Sequence, residues 1–437
     1  MKGKERLKEL KMALSAKGQI SKIIIIFVPL FSVLVLGAAL RIYNLNNVNS
    51  RSPDERIYTY QARTIAQHGQ EGIKLLVNEY NKNKKFWIYP PPTRVGYLWL
   101  LATVMKMTNR PDEAAGAYIS CFFSISSLIL LIAMGLRFFG PWITLYALTF
   151  MSVSPMSLAI ARRCWTDAMS GCLGLSLVYF CCEITRSTRR IIWYILLILT
   201  GSYCILVKES GVVIYVFCIA WILYVLCIKE KSFLKGISLA IFSIIGIGMS
   251  IVYLAHAIGG STEVIKVLLH VKEGALSNIY AIQYQSGPWY RFLKGFWIIS
   301  PVSASLCLVG IAGAFLFKRP DQKIITSPIS NNSRAIFGIL CFMFVFVAIA
   351  VLTPWGQNLR YLSTMFPPFY LISGLGLWQI IIFAKAKLNN PSFSIVIAIS
   401  VVALAFSAVG DYNFFKRIFV EGGMQDLSIG FLMEIPR

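Results

Sequence analysis

The sequence predicts an all-α fold, a polytopic bundle of about eleven transmembrane helices with amphipathic helices in its first external loop. Three observations predict it. Of 437 residues, 57% are hydrophobic and only 14% charged, giving a mean hydropathy of +0.67. Apolar runs close to 20 residues long recur along the chain, without the alternation expected of a membrane β-barrel. Basic residues gather in the short loops between these runs, which is the positive-inside pattern.

The runs lie at about 23–42, 93–107, 114–138, 142–160, 168–182, 191–207, 211–228, 236–258, 295–317, 335–352, 361–383 and 392–410. Residues 1–22 are strongly basic and precede an apolar run, which could make a signal peptide, but the run is longer than a signal core and reads as a retained first helix. Basic loops at the N-terminus, Arg186/Arg189/Arg190, Lys229/Lys231/Lys235, Lys318/Arg319/Lys323 and Lys385/Lys387 mark the cytoplasmic side. Two cytoplasmic points require an even number of crossings between them, yet five runs separate the N-terminus from Arg186. The shortest, 93–107, follows Pro90, Pro91 and Pro92 and is read as an interfacial or re-entrant helix. The expected exterior comprises a first loop at 43–113, a turn at 162–167, a turn at 208–210, a long loop at 259–294, a turn at 353–360 and a tail at 411–437. No repeat or linker divides the chain, so 1–437 is read as one membrane domain.

The net charge of +23 belongs to this loop pattern and to anionic headgroups, not to a nucleic-acid partner. Most of the ten cysteines, Cys121, Cys172, Cys218, Cys307 and Cys341 among them, fall in apolar runs, where the thiol behaves as a small hydrophobe. His68, His256 and His270 are the only histidines and suggest no imidazole metal site. Carboxylate binding of a divalent cation stays open, and no other cofactor is indicated.

The chemistry centres on SPDERIYTYQAR, Ser52 to Arg63. Ser52, Pro53 and Glu55 spell a helix start with a capping box, which accounts for Glu55 without function. Asp54 is less well explained, because an acidic second residue adds only a few tenths of a kcal/mol to about 1 through the helix dipole. Other polar residues placed outside are Arg94, Arg162, Arg163, Asp167, Lys208, Glu209, the GPWYRF segment with Trp289 and Tyr290, and Arg360 with Tyr361. Carboxylates and cations in one external pocket suit a hydroxyl that needs a base and a phosphate that needs charge stabilisation as it leaves. Each also has a plainer reading. Arg163 and Asp167 are four apart and can pair along a helix; Lys208 and Glu209 can be interface charges; Arg360 can snorkel to headgroups. Trp289 and Tyr290, like Tyr80, Phe86, Trp87 and Tyr89, fit an aromatic interface belt as well as a sugar site.

The order of segments resembles the GT-C membrane glycosyltransferases, nearest to the protein O-mannosyltransferase and lipid A aminoarabinose transferase group. The acidic pair and its Tyr/Ala/Arg helix are followed by PPPTRVGYLWLLA, SPMSLAIARRCWTDAMSG, LVKESG, GPWYRFL and LRYLSTMFPPFYLISG, spanning about Arg41 to Gly374. The resemblance implies a polyprenyl-phosphate-linked sugar donor and transfer with inversion on the outer membrane face to a glycan, lipid or protein acceptor. It implies Asp54 as catalytic base, Glu55 as supporting carboxylate and Asp167 as the acidic residue of the second external turn. Lys208 and Arg360 with Tyr361 fall at segments that contact the lipid phosphate, with Arg94 and Arg163 as further cations and Tyr58, Trp289 and Tyr290 as the sugar or acceptor pocket. Where the family commonly has a lysine before its proline pair, this chain has Tyr89 and Pro90, with Arg94 following. The short tail lacks the large soluble domains of some relatives. The basic, compact build points to a bacterial plasma membrane, with the archaeal membrane and the endoplasmic reticulum as alternatives. A transporter or flippase for a lipid-linked saccharide is the rival, but such proteins place ionisable groups near the bilayer midplane between repeats.

Overall fold

A computed structural model describes residues 25–45, 50–187, 191–316, 328–352 and 357–434. The basic N-terminus 1–22, Arg189/Arg190, Lys318/Arg319/Lys323 and much of the 353–360 turn lie outside the described residues.

The chain forms helices throughout. Helix α1 covers Ile25–Ile42. The stretch read as the first loop carries α2 (Pro53–His68), α3 (Gln70–Lys82) and α4 (Val95–Thr108), of which α2 and α3 are amphipathic as expected and α4 is apolar. Then come α5 (Glu113–Phe138), α6 (Pro141–Val153), α7 (Pro155–Ala161), α8 (Asp167–Arg186), α9 (Ile191–Val207), α10 (Ser210–Tyr224) and α11 (Phe233–Ile258). The long loop holds α12 (Ser261–Ser277) and α13 (Ile279–Tyr284), followed by α14 (Arg291–Ile299), α15 (Pro301–Leu316) and α16 (Pro328–Leu352). A 3-10 turn, Leu359–Met365, leads into α17 (Phe366–Lys387), α18 (Asn390–Phe415) and the short α19 (Ile429–Met433).

Among the described residues eight helices are long and apolar enough to cross a membrane, and the bent pair α6 and α7 brings the number to nine. Val95–Thr108, Ile191–Val207 and Pro301–Phe315 are apolar but shorter. Two apolar runs read as single crossings are broken. The 142–160 run bends by 57° between α6 and α7, because Pro155 has no N–H to continue the ladder and Ser154 takes an extended ψ of 120°. The 295–317 run breaks at Ser300, again before a proline, leaving the amphipathic α14 distinct from α15. The tail also differs from expectation: 411–415 belong to α18, and the chain beyond folds back so that α19 packs on α14.

The α6–α7 break exposes carbonyls that lipid cannot satisfy, and Arg41 takes them. Its guanidinium, fully buried, donates to Met151 O and Ser152 O, both at 3.1 Å, to Gly37 O at 2.8 Å, and to Ser124 Oγ and Ser157 Oγ, both at 2.7 Å. A buried cation in the bundle is thereby hydrogen-bonded at every turn, which is the condition for tolerating it there.

At the centre, α17 lies between α6 and α15. Close approach requires glycine: a Cβ at Gly310 would come 2.1 Å from Ile372 O, and one at Gly376 would come 2.0 Å from Leu306 O. Anchoring α17 so tightly fixes the 3-10 turn before it, which carries Arg360 and Tyr361. The ten cysteines are free thiols, all buried or partly buried, as their apolar settings imply.

Candidate active site

One cavity of about 890 Å³ is lined by the start of α2, residues 88–94, the start of α8, the α9–α10 turn, α12 and α13, α16, the 3-10 turn, residues 422–426 after α18, and α19. It gathers Asp54, Tyr58, Arg94, Asp167, Lys208, Arg360 and Tyr361, seven of the eleven residues expected in the site.

Local sequence sets the orientation of Asp54. Ser52 Oγ accepts from Glu55 N at 3.4 Å and Ser52 N donates to Glu55 Oε2 at 2.8 Å, so the capping box turns Glu55 inward and leaves Asp54 facing the cavity. Asp54 Oδ2 accepts from an Arg360 terminal nitrogen at 2.6 Å, with side chains 22% and 12% exposed. The guanidinium stacks 4.8 Å from the Trp165 ring and 5.2 Å from the Tyr361 ring.

Beside this pair, Lys208 Nζ donates to Asp167 Oδ1 at 2.6 Å and lies 4.7 Å from the Tyr361 ring centroid. Burial pushes the Lys208 ammonium below its usual lysine value, and Asp167 offsets only part of that. A third pair closes the wall. Arg94 contacts Glu209 at 2.9, 3.1 and 3.2 Å and also donates to the Tyr58 hydroxyl. Burial pushes the Glu209 carboxyl up, but the Arg94 charge and hydrogen bonds, a backbone hydrogen bond and the Lys208 charge together outweigh it and hold the group below its usual value. For Tyr58, burial raises the phenol well above its ordinary range against the pull of Arg94, so the hydroxyl stays protonated.

The remaining four expected residues lie elsewhere. Glu55 is sealed from solvent. Oε1 accepts from Cys164 N at 2.9 Å and Arg51 at 3.0 Å, and Oε2 accepts from Arg163 at 3.1 Å. Arg163 therefore pairs with Glu55, not with Asp167 four residues on, and donates also to Ser50 O and to Met424 O. The two residues tie α2, the turn before α8 and the tail together behind the cavity wall. Trp289 and Tyr290 are 60% and 52% exposed and do not line the cavity. The GPW turn that carries them faces outward, which suits the interface-anchor reading.

Sequence reasoning missed the tail. Asp426 accepts from Tyr280, from Asn358 at 2.6 Å and from Ser428 at 2.7 Å, strapping Gly422–Asp426 over the cavity. Its one sequence signal is a Gly-Gly pair followed by an acid, and that pattern is common in loops. Glu209 was legible only as a neighbour of Lys208.

Among the described residues, no group of three or more His, Cys, Asp and Glu side chains is placed to share a metal ion. Asp54 and Asp167 are each already engaged by a cation. Among the described residues, no third carboxylate completes a set of protein ligands for a divalent cation beside these two.

No protein-family model and no curated protein sequence matches the chain. Solved structures do. The archaeal oligosaccharyltransferase AglB from Archaeoglobus fulgidus, in complex with an inhibitory peptide and a dolichol-phosphate, matches with a TM-score of 0.59 at 10% identity over 91% of this chain. The match takes in 56% of AglB, so the chain spans little more than half its length. ArnT from Cupriavidus metallidurans bound to undecaprenyl phosphate matches with a TM-score of 0.57 at 13% identity, over 94% of this chain and 75% of that one. These neighbours are GT-C glycosyltransferases, and the chain has their polytopic helical fold.

Proposed function

We propose that the protein is an integral membrane glycosyltransferase that moves a sugar from a polyprenyl-phosphate-linked donor to an acceptor hydroxyl on the extracytoplasmic face. One observation carries the reading: in a fold shared with two proteins solved with a prenyl phosphate, Asp54 and three cations, Arg94, Lys208 and Arg360, line the same cavity. An apolar wall from α10 and α16, including Val213, Phe346 and Ile349, continues from the charged end and suits an isoprenoid chain.

The reaction is a single displacement with inversion. The acceptor oxygen attacks the anomeric carbon, its proton passes to Asp54, and the bond from that carbon to the phosphate oxygen breaks with its electron pair leaving on the phosphate. A positioned base contributes about 10²- to 10⁴-fold. Arg360 and Lys208 stabilise the departing charge most effectively where water is excluded. Asp167 orients Lys208, and Glu209 orients Arg94. Glu55 acts by holding Asp54 in place, and Arg163 by holding Glu55.

The test is transfer of radiolabelled sugar from a polyprenyl-phosphate pool to extractable acceptors in membranes. Native protein is expected to transfer label, and Asp54→Asn of equal abundance to lose about 10²- to 10⁴-fold. Equal transfer by both would remove Asp54 from the chemistry. Donor that crosses vesicle membranes without any transfer would favour a transporter.

A further inference from the structure

Each cation on the cavity wall already has a carboxylate partner, so an arriving phosphate must compete for its donors. The three pairs resist exchange unequally. Arg94 is fastened to Glu209 by three contacts and to Tyr58 by another. Lys208 and Asp167 have side chains only 9% and 4% exposed. Arg360 reaches Asp54 through one terminal nitrogen alone, and its Nε is buried without a hydrogen-bond partner. Half of the planar fork is therefore unused, while the Trp165 and Tyr361 rings lie 4.8 and 5.2 Å from the guanidinium carbon. A phosphate offers the paired oxygens that such a fork binds best.

We infer that the Asp54–Arg360 pair is an exchangeable latch: the donor phosphate takes Arg360, and only then is Asp54 Oδ2 free to accept the proton of the acceptor hydroxyl. This rests on the glycosyltransferase reading and adds an order to it, donor before acceptor. In the resting site one of the two Asp54 carboxylate oxygens is occupied by a guanidinium N–H at 2.6 Å. When the phosphate claims the fork, Arg360 also stands where the leaving oxygen develops its charge. One exchange arms the base and places the leaving-group cation. Burial works against the Arg360 charge, but Tyr361, Asp54, Asp167 and Asp426 together outweigh it, and all but Asp54 remain beside it after the exchange. An empty or water-filled site thus holds its base paired to a cation.

The latch makes an unusual demand, that the variant lacking the base binds lipid phosphate more tightly. Binding of sugar-free polyprenyl phosphate to the purified full-length chain is measured for native protein, Asp54→Asn and Asp54→Ala, with the unphosphorylated polyprenol as control. Removing the internal competitor is expected to tighten phosphate binding by about three- to thirty-fold. Both Asp54 variants remove the negative charge that competes with the phosphate, so either one that folds reads the effect. In an Arg360→Met background the same substitution is expected to give no gain, because the coupling runs through that residue. Unchanged or weaker binding by Asp54→Asn, or a gain that persists without Arg360, overturns the latch and leaves the glycosyltransferase reading standing. Native protein that does not prefer polyprenyl phosphate over polyprenol overturns both.

Discussion

Lys208 and Asp167, 41 residues apart, meet at 2.6 Å on the cavity wall with the Lys208 ammonium 4.7 Å from the Tyr361 ring centroid. Burial lowers the lysine, so its protonated form persists over a narrower range than usual. Only that form binds a phosphate. Polyprenyl phosphate affinity is therefore full below the lowered value and falls as pH rises through it, earlier than the ordinary lysine value of about 10.4. A binding titration from about pH 7 to about pH 10 checks this, and Lys208→Arg is expected to abolish the alkaline fall because guanidinium does not titrate there.

Arg94 stands near the position where the resemblance leads one to expect a lysine, and it is held as a fork by Glu209. Arg94→Met removes a charge-assisted contact, and kcat/KM for transfer is expected to drop about 10- to 100-fold. Arg94→Lys is expected to recover only part of this, since an ammonium cannot reproduce the fork against Glu209 and Tyr58.

The Glu55–Arg163 pair is sealed, with side chains 0% and 3% exposed. Glu55→Ala leaves Arg163 buried without its carboxylate and is expected to cost about 3 to 5 kcal/mol, read as a lower unfolding midpoint in detergent. The double variant Glu55→Ala with Arg163→Met is expected to lose less than the sum of the singles. Additive losses would show that the two side chains are not coupled.

Gly376 meets Leu306 O so closely that no side chain fits between α17 and α15. Gly376→Val is expected to destabilise by at least about 1 to 3 kcal/mol. Because α17 leads directly from the 3-10 turn, polyprenyl phosphate affinity should fall with it. Retained stability would mean that the two helices separate at little cost.

Trp289 provides the contrasting case. It is exposed and lies off the cavity, so Trp289→Ala is expected to leave transfer within about threefold of native. A larger loss in a transfer assay would bring the GPW turn into acceptor binding.

Much of the fold was readable because lipid imposes a simple rule: every backbone group must bond within its own helix, so long apolar runs become helices. The breaks at Pro155 and Pro301 were readable as well, had the prolines outweighed the continuity of hydropathy. Asp54, Arg94, Asp167, Lys208 and Arg360 were legible as polar residues stranded beside apolar runs. Glu55 carried its structural role openly in the capping box. Trp289 and Tyr290 were not separable from interface anchors, since an aromatic ring beside a bilayer looks the same in sequence whether or not it touches a ligand. The strap at Gly422–Asp426 was hidden because its partners, Tyr280 and Asn358, are distant in sequence.

The sequence by itself determined that this chain builds a helical membrane bundle and that an acidic pair opens the first amphipathic helix. Helix periodicity and capping depend on neighbours a few residues away. Which carboxylate meets which cation was decided only in three dimensions. Arg163 and Asp167 have a local pairing available at four residues, worth about 0.2 to 0.5 kcal/mol on a helix surface. Arg163 instead crosses 108 residues to Glu55, and Asp54 pairs with a residue 306 positions away. Once packing has buried these groups, an unpaired charge costs several kcal/mol, and that penalty outweighs the local preference.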